Sequence, residues 1–168
     1  MEFILIIGVI FILLVLLSFV WPPDSPWAPW WRTSKEVARK ICKLSKVGSS
    51  DIIYDLGSGD GTALIVAAKE FGATGVGIEI DPGRAFISKM LVAKNKVSRK
   101  VRIERKNFFD VNLSDASVIF LYLVPKTLEK LIPKFRKELK KGTKIVSYRY
   151  KMDLELIGNS EDLYLYTI

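Results

Sequence analysis

The residues best suited to chemistry form a glycine-rich acidic loop. Residues 55–61 read Asp-Leu-Gly-Ser-Gly-Asp-Gly and directly follow an apolar run at residues 52–54. Alternate glycines let a backbone turn sharply and approach a ligand closely. Because Asp55 and Asp60 make the loop acidic, it would repel a phosphate group and attract a cationic ligand. The loop therefore predicts a binding site for a ligand that carries positive charge.

A third carboxylate, Glu79, ends the next apolar run at residues 75–79. A carboxylate at the end of the second strand of such a sheet accepts hydrogen bonds from ribose hydroxyls. An NAD-binding fold needs Gly-x-Gly-x-x-Gly, and counting from Gly57 places Thr62 at the last position. Since that spacing fails, Glu79 indicates an adenosine-containing ligand other than a nicotinamide dinucleotide.

Composition excludes several classes of enzyme. The chain has 168 residues, no histidine and a single cysteine, Cys42. Serine and cysteine nucleophiles that depend on histidine are therefore excluded, as are zinc sites built from histidine or several cysteines. No metal site is predicted. With 26 Lys and Arg against 18 Asp and Glu, the net charge is +8.

Helical and strand signals alternate from Thr33 onward. A Thr33-x-x-Glu36 capping box opens the first helix of the body, and Pro82 opens a later one. The other helices are predicted at residues 62–71 and 126–140, and the strands at residues 52–54, 75–79, 101–103, 118–121 and 144–148. Residues 154–157 and 163–167 predict an antiparallel hairpin that turns at residues 158–160. This order predicts an α/β fold with a doubly wound, Rossmann-like parallel sheet and a C-terminal antiparallel hairpin. Ligands of such sheets bind at the carboxyl ends of the strands.

The N-terminal segment has a different character. Residues 3–21 carry no charge, and as a helix they would extend roughly 28 Å, close to the thickness of a bilayer core. We predict an uncleaved transmembrane anchor at residues 1–21, a Pro/Trp linker and substrate-access segment at residues 22–32, and a folded domain at residues 33–168. Six basic residues follow soon after the span, which predicts an outside N-terminus and a domain on the cytoplasmic face of the membrane. Lipid is then an expected partner of residues 3–21.

Residues 52–81 resemble motif I and its sequel in class I S-adenosylmethionine-dependent methyltransferases. Residues 28–34, Ala-Pro-Trp-Trp-Arg-Thr-Ser, resemble the Pro-Tyr-Val-Pro-Thr-Pro-type segment of small protein-lysine methyltransferases. That subfamily includes archaeal enzymes and membrane-anchored animal relatives that act on the c-subunit of ATP synthase. Residues 107–110 and 142–147 also fit the subfamily. Arg32 and Ser34 stand where prolines are usual, and Tyr148 stands where a histidine often occurs.

The resemblance implies S-adenosyl-L-methionine as cofactor and the side-chain amine of a protein lysine as substrate. It implies these cofactor-binding residues: Asp55, Gly57, Ser58, Gly59, Gly61, Glu79, Asn107 and Phe108, the last two beside the adenine. Tyr122 would orient the amine, or serve as a structural tyrosine. Trp30 and Trp31 would line a lysine channel through cation–π contacts, or else pack on the sheet edge or anchor at the membrane interface.

Three other functions remain open from the sequence. A small-molecule or lipid methyltransferase would suit the anchor, but the chain has almost no insertion that could cover a small substrate. A nucleic-acid methyltransferase is suggested by nine basic residues between Arg84 and Lys106, yet the Asn-Pro-Pro-Tyr motif is missing after the fourth strand. A non-catalytic cofactor-binding scaffold is disfavoured by the intact motif I with Glu79.

Overall fold

The computed structural model of the protein describes residues 2–20 and 31–168. Its elements follow in this order: α1 (Glu2–Val20), α2 (Lys35–Leu44), β1 (Ile52–Leu56), α3 (Thr62–Glu70), β2 (Thr74–Ile78), α4 (Pro82–Lys94), β3 (Val101–Glu104), a 3-10 helix (Phe108–Asp110), β4 (Val118–Leu121), α5 (Pro125–Glu138), β5 (Lys144–Tyr148), β6 (Glu155–Ser160) and β7 (Leu163–Thr167). The predicted alternation of helices and strands is confirmed.

One seven-stranded sheet organises the domain, in the order β3-β2-β1-β4-β5-β7-β6. Strands β1 to β5 are parallel, while β7 pairs antiparallel with both β5 and β6. The chain leaves β1 first toward β2 and β3, and later returns to the other side of β1 with β4. The strand order therefore reverses between β1 and β4, and a crevice opens at the carboxyl ends of those two strands. The predicted class I sheet with its C-terminal hairpin is confirmed.

The core lies on both faces of this sheet. On one face, Ile53 and Val146 are buried with apolar side chains of α2, α3 and α4. On the other face, Tyr54 and Leu56 are buried with Leu131 and other side chains of α5. Side chains of β1 are thus buried on both faces of the sheet, and this packing fixes the position of the strand and of the loop that follows it.

The single cysteine belongs to the first of these layers. Cys42 is fully buried there, and burial raises the pKa of its thiol to about 12. Because the thiolate is the reactive form, a thiol with so high a pKa is a poor nucleophile. Cys42 is therefore a packing residue.

Two local boundaries differ from the predictions. Helix α2 is capped by Ser34, whose hydroxyl accepts the Val37 N–H at 3.2 Å, and not by Thr33. The C-terminal hairpin turns at residues 161–162, because Ser160 pairs directly with Leu163. Residues 158–160 continue β6 through a bulge, so pairing with β7 overrides the turn preference of these residue types.

Residues 2–20 form α1, in agreement with the helix predicted there. Within residues 2–20 and 31–168, however, no helix is long and apolar enough to cross a membrane. The predicted transmembrane character of this segment is therefore not confirmed. Most of the predicted linker, including Trp30, lies outside the described residues.

Candidate active site

The glycine-rich loop is held against the end of β2 by its own backbone. The N–H groups of Gly57 and Ser58 both donate to the carbonyl oxygen of Ile78, at 2.8 and 3.0 Å. Gly57, Gly59 and Gly61 all have positive φ, at 87°, 54° and 75°. Residues other than glycine rarely adopt positive φ, so the alternate glycines allow the loop to close over the end of the strand.

Close packing beneath the loop explains two further small residues. A Cβ at Gly77, in β2, would lie 2.6 Å from the Ser58 hydroxyl and 2.7 Å from Cδ1 of Ile103. The Ser58 hydroxyl is buried and has no hydrogen-bond partner among the described residues. The side chain of Ser58 therefore packs beneath the loop against β2, and its role toward a cofactor stays a prediction.

Glu79 is the centre of the loop's hydrogen bonding. Its carboxylate is buried, with Oε2 accepting the Gly59 N–H at 2.8 Å and Oε1 accepting the Asp81 N–H at 3.0 Å. Each oxygen has further lone pairs that can accept a hydroxyl. The ribose contact of Glu79 stays a prediction, and the sequence did not indicate this second task, in which the same carboxylate fixes the loop's shape.

Asp55 ends β1 beneath the loop and is almost fully buried. Burial, and secondarily the carboxylates of Glu79 and Asp60, raises the pKa of Asp55 from 3.8 to about 7. A buried carboxylate among other carboxylates lacks a compensating cation, so a ligand cation at this position would stabilise its ionised form. This is the electrostatic setting that the acidic loop predicted.

Asp60 connects the loop to the segment that precedes α2. One carboxylate oxygen accepts the Thr62 N–H at the start of α3, at 3.0 Å. The other lies 2.6 Å from Nε of Arg32. Arg32, which stands where a proline is usual, thus ties residues 31–32 to the glycine-rich loop. The sequence did not reveal this ion pair.

The predicted adenine contacts lie at the same edge, beyond β2. Strand β3 ends beside Glu79, whose N–H donates to the carbonyl oxygen of Glu104. The chain then reaches Asn107, which caps the 3-10 helix by accepting the Phe109 N–H at 3.1 Å. The ring of Phe108 lies against Phe109 and the core. This position beside Glu79 suits an adenine next to a ribose, and the contacts themselves stay predictions.

The substrate residues predicted from the sequence lie on the other side of the loop. Tyr122 directly follows β4, and its ring lies 4.6 Å from that of Tyr148, at the end of β5. Partial burial raises the pKa of the Tyr122 hydroxyl, which therefore stays protonated at neutral pH. Trp31 is 60% exposed, and its ring faces the guanidinium of Arg149 with 5.9 Å from centroid to Cζ. The sequence analysis gave Arg149, which directly follows β5, no role.

Known proteins resemble the chain in sequence and in fold. The family model described as the ANTKMT methyltransferase domain matches residues 55–154. A protein-lysine N-methyltransferase of Saccharolobus islandicus is 39% identical over 131 residues, which cover 77% of this chain and 80% of the relative. The chain belongs to the ANTKMT methyltransferase family. It is thus an S-adenosylmethionine-dependent methyltransferase, and the resemblance seen in its sequence is confirmed.

Two further proteins, one compared by sequence and one by structure, are similar to this methyltransferase. The adenine nucleotide translocase lysine N-methyltransferase of Mus musculus is 31% identical over 101 residues, covering 60% of this chain but only 44% of the mouse protein. A crystal structure of an RNA methyltransferase from Salinibacter ruber with S-adenosyl-L-homocysteine has a TM-score of 0.79 and 35% identity. It covers 82% of this chain and 94% of that one.

The described residues of the methyltransferase fit its cofactor. S-adenosylmethionine carries a sulfonium and an α-ammonium, and Asp55 offers a buried carboxylate that lacks a cation. Its ribose would find the Glu79 oxygens, and the loop glycines leave room for close approach. Among the described residues, no group of three or more Cys, Asp or Glu side chains is placed to hold a metal ion.

Removing the Glu79 carboxylate should weaken cofactor binding. We expect Glu79→Ala to raise the Kd of S-adenosylmethionine at least about tenfold, because charge-assisted hydrogen bonds to the ribose and the loop are lost. Glu70→Ala, at a surface ion pair with Arg39, is the matched control. Calorimetry with S-adenosylhomocysteine and its 2′,3′-dideoxy analogue separates the ribose contact from the effect on the loop. If Glu79 binds the ribose hydroxyls, the unmodified protein prefers the ligand that carries them, and Glu79→Ala loses this preference. If Glu79 only holds the loop, the substitution weakens both ligands equally. An unchanged Kd would remove Glu79 from the site.

Cofactor affinity should depend on pH through Asp55. Because its pKa is about 7 in the free protein, a cationic ligand that prefers the carboxylate must displace a proton below that pH. The Kd should therefore fall as pH rises from 6 to 8, by up to about tenfold per unit below the pKa. Calorimetry in buffers of different ionisation enthalpy measures both the Kd and the released proton.

The free protein should show the opposite dependence in its stability. A carboxyl whose pKa is raised on folding holds its proton longer in the folded than in the unfolded chain, so the free energy of unfolding should fall as pH rises from about 4 to 7. Asp55→Asn should remove both dependences, whereas Asp153→Asn, at an exposed position, should retain them. A flat Kd in the unmodified protein would contradict the assignment.

Proposed function

We propose that the protein transfers a methyl group from S-adenosylmethionine to the side-chain amine of a protein lysine. The observation that carries the proposal is the aromatic cluster of Trp31, Tyr122 and Tyr148 beside the cofactor loop. Aromatic faces attract ammonium groups, and rings exposed at a sheet edge can receive a side chain that protrudes from another protein. The relatives named as lysine methyltransferases support the same substrate class.

The cluster and the loop are adjacent because of the sheet. Leu56 of β1 is in register with Leu121 of β4, and Leu121 with Ser147 of β5. Tyr122 and Tyr148 therefore follow at one edge. The loop lies next to them, since a Cβ added at Gly57 would lie 3.4 Å from Cδ2 of Leu123. Along this edge, the predicted adenine and ribose contacts come first, then Asp55 and the loop, then the rings.

The chemistry needs an amine that has lost its proton. S-adenosylmethionine supplies a methyl carbon already activated by the sulfonium. The lone pair of the lysine nitrogen forms the new N–C bond as the C–S bond breaks, after the ammonium proton has gone to solvent. Deprotonating a lysine of pKa about 10.4 at pH 7 costs about 4.6 kcal/mol. The half-buried rings of Tyr122 and Tyr148 lower that cost where they keep water away from the amine, and the Tyr122 hydroxyl can orient the neutral amine.

Replacing Trp31 should impair methylation and leave cofactor binding intact. We expect Trp31→Leu to lower kcat/KM about tenfold or more, corresponding to one or two lost cation–π and packing contacts, with the Kd of S-adenosylmethionine changed less than about twofold. The full chain, in detergent, is incubated with radiolabelled cofactor and fractionated membrane proteins, soluble proteins, RNA and lipids. Phe86→Leu, at an exposed position of α4, is the control.

The fraction that acquires label decides the substrate class. If the labelled protein is hydrolysed to amino acids and the label is recovered as methylated lysine, the proposal is supported. Label in RNA would instead favour the second candidate, which the similarity to the Salinibacter ruber RNA methyltransferase and the basic residues between Arg84 and Lys106 suggest. Label in lipid would favour a lipid methyltransferase. Equal activity of Trp31→Leu and the control would return Trp31 to a packing role.

We further propose that residues 3–21 attach the enzyme to a membrane, with the catalytic domain on the cytoplasmic face. The proposal is supported by the large apolar side chains of α1, which are exposed from Phe3 to Val15 wherever they are described. A row of such side chains costs free energy in water and is covered by lipid or by protein. The basic residues that follow favour the cytoplasmic side.

Fractionation of cells should place the chain in the membrane pellet after carbonate extraction. We expect the double substitution Ile10→Lys and Leu13→Lys to release it into the supernatant, because two charges on α1 oppose burial in lipid. Leu156→Lys makes the same change at an exposed apolar position of β6 and should stay in the pellet. Protease added to inside-out vesicles should digest the domain. An unmodified chain in the supernatant would contradict attachment.

A further inference from the structure

The guanidinium of Arg149 lies among the three rings of the aromatic cluster. Its Cζ is 5.9 Å from the ring centroid of Trp31, 5.8 Å from that of Tyr122 and 5.5 Å from that of Tyr148. All three distances fall within the range of cation–π attraction. A side chain of the protein itself therefore occupies the position in which an aromatic cluster would receive a cation.

The backbone directs Arg149 into this position at a cost. Arg149 has φ of 71°, the left-handed region that an arginine rarely adopts. Its N–H donates to the carbonyl oxygen of Asp162 at 2.6 Å, which ties the residue to the turn between β6 and β7. Strained residues of this kind cluster at functional sites. The surrounding hairpin thus holds the backbone of Arg149 while its side chain remains exposed.

The cluster also borders the cofactor loop through a second arginine. Trp31 is followed by Arg32, whose Nε lies 2.6 Å from a carboxylate oxygen of Asp60 in the loop. One side of the cluster is therefore fixed to the loop, and the other side is formed by residues that follow β4 and β5. A cation among the rings would lie beside the glycine-rich loop.

We propose that Arg149 is a resident cation of the site formed by Trp31, Tyr122 and Tyr148, and that the substrate ammonium must displace it. This inference rests on the proposed function. Arg149 is then a specificity-determining residue, because only a ligand that binds the rings better than the guanidinium can enter. Occupation by Arg149 lowers the fraction of protein competent to bind, and the apparent Kd of a cation rises in proportion. Because the guanidinium is exposed, it can leave toward solvent without burying its charge.

Binding of Nε-trimethyllysine to the full chain tests the displacement. This quaternary ammonium cannot be methylated further and prefers aromatic faces. We expect Arg149→Gln to bind it at least about fivefold more tightly than the unmodified protein by calorimetry, because the competing cation is gone. Arg149→Gly should do the same, and since glycine accepts positive φ without strain, this variant keeps the fold.

Lys151→Gln is the matched control. Its Nζ lies 5.6 Å from the ring of Tyr164, so the substitution removes a surface cation from a tyrosine outside the cluster. Its affinity for Nε-trimethyllysine should stay within about twofold of the unmodified value, because the rings of the cluster are untouched. Affinities of both Arg149 variants that equal or fall below the unmodified value would overturn the proposal and make Arg149 a support of the rings.

A measurement on the unmodified protein checks the displacement directly. The Nε–H resonance of Arg149, which lies near three rings, should be shifted by their ring currents and return toward its free value when Nε-trimethyllysine is added. A resonance that does not move at saturating ligand would also overturn the proposal. Neither experiment requires methyl transfer, so a failure of lysine methylation in the labelling assay and a failure of the displacement are distinguishable.

Discussion

The buried carboxylate of Glu79 is the interaction on which the site depends. By accepting the N–H groups of Gly59 and Asp81, it joins the glycine-rich loop to the start of α4. A carboxylate is stable away from water only when such donors surround it, and the loop presents the Gly59 N–H only because its glycines adopt positive φ. The sequence of the loop, its shape and the position of the Glu79 carboxylate are therefore one constraint.

That constraint leaves Asp55 in an unfavourable environment. The loop is closed over it, and Glu79 and Asp60 add negative charge to the effect of burial, which together raise its pKa to about 7. The unfavourable environment is useful for binding, because a ligand that brings a sulfonium and an ammonium regains the lost stabilisation. Arg32 forms its ion pair with Asp60 and not with the buried Asp55 carboxylate, which would remain available to a cationic ligand.

The sequence predicted those parts of the site that follow from local signals and parallel topology. The run from β1 through the loop to α3 combines buried residues with glycines, and parallel strands end at one edge, which placed Glu79 and Tyr122 beside the loop. Residues that depend on distant backbone could not be predicted. The Ser58 side chain packs beneath the loop because of Gly77, and the hairpin turns at residues 161–162 because β6 continues through a bulge. Arg149 reaches the rings through a left-handed φ that no residue type nearby indicates.

The two halves of the edge treat positive charge differently, and lysine methylation would require that difference. A carboxylate next to the substrate amine would stabilise the ammonium and raise its pKa, which opposes the loss of the proton. Aromatic rings attract the cation more weakly and, where they exclude water, disfavour its charge. Carboxylates therefore suit the side that holds a permanent sulfonium, and the rings of Trp31, Tyr122 and Tyr148 suit the side where a nitrogen must become neutral. A guanidinium can rest among those rings because it keeps its proton at any physiological pH, so it fills the site without becoming a nucleophile.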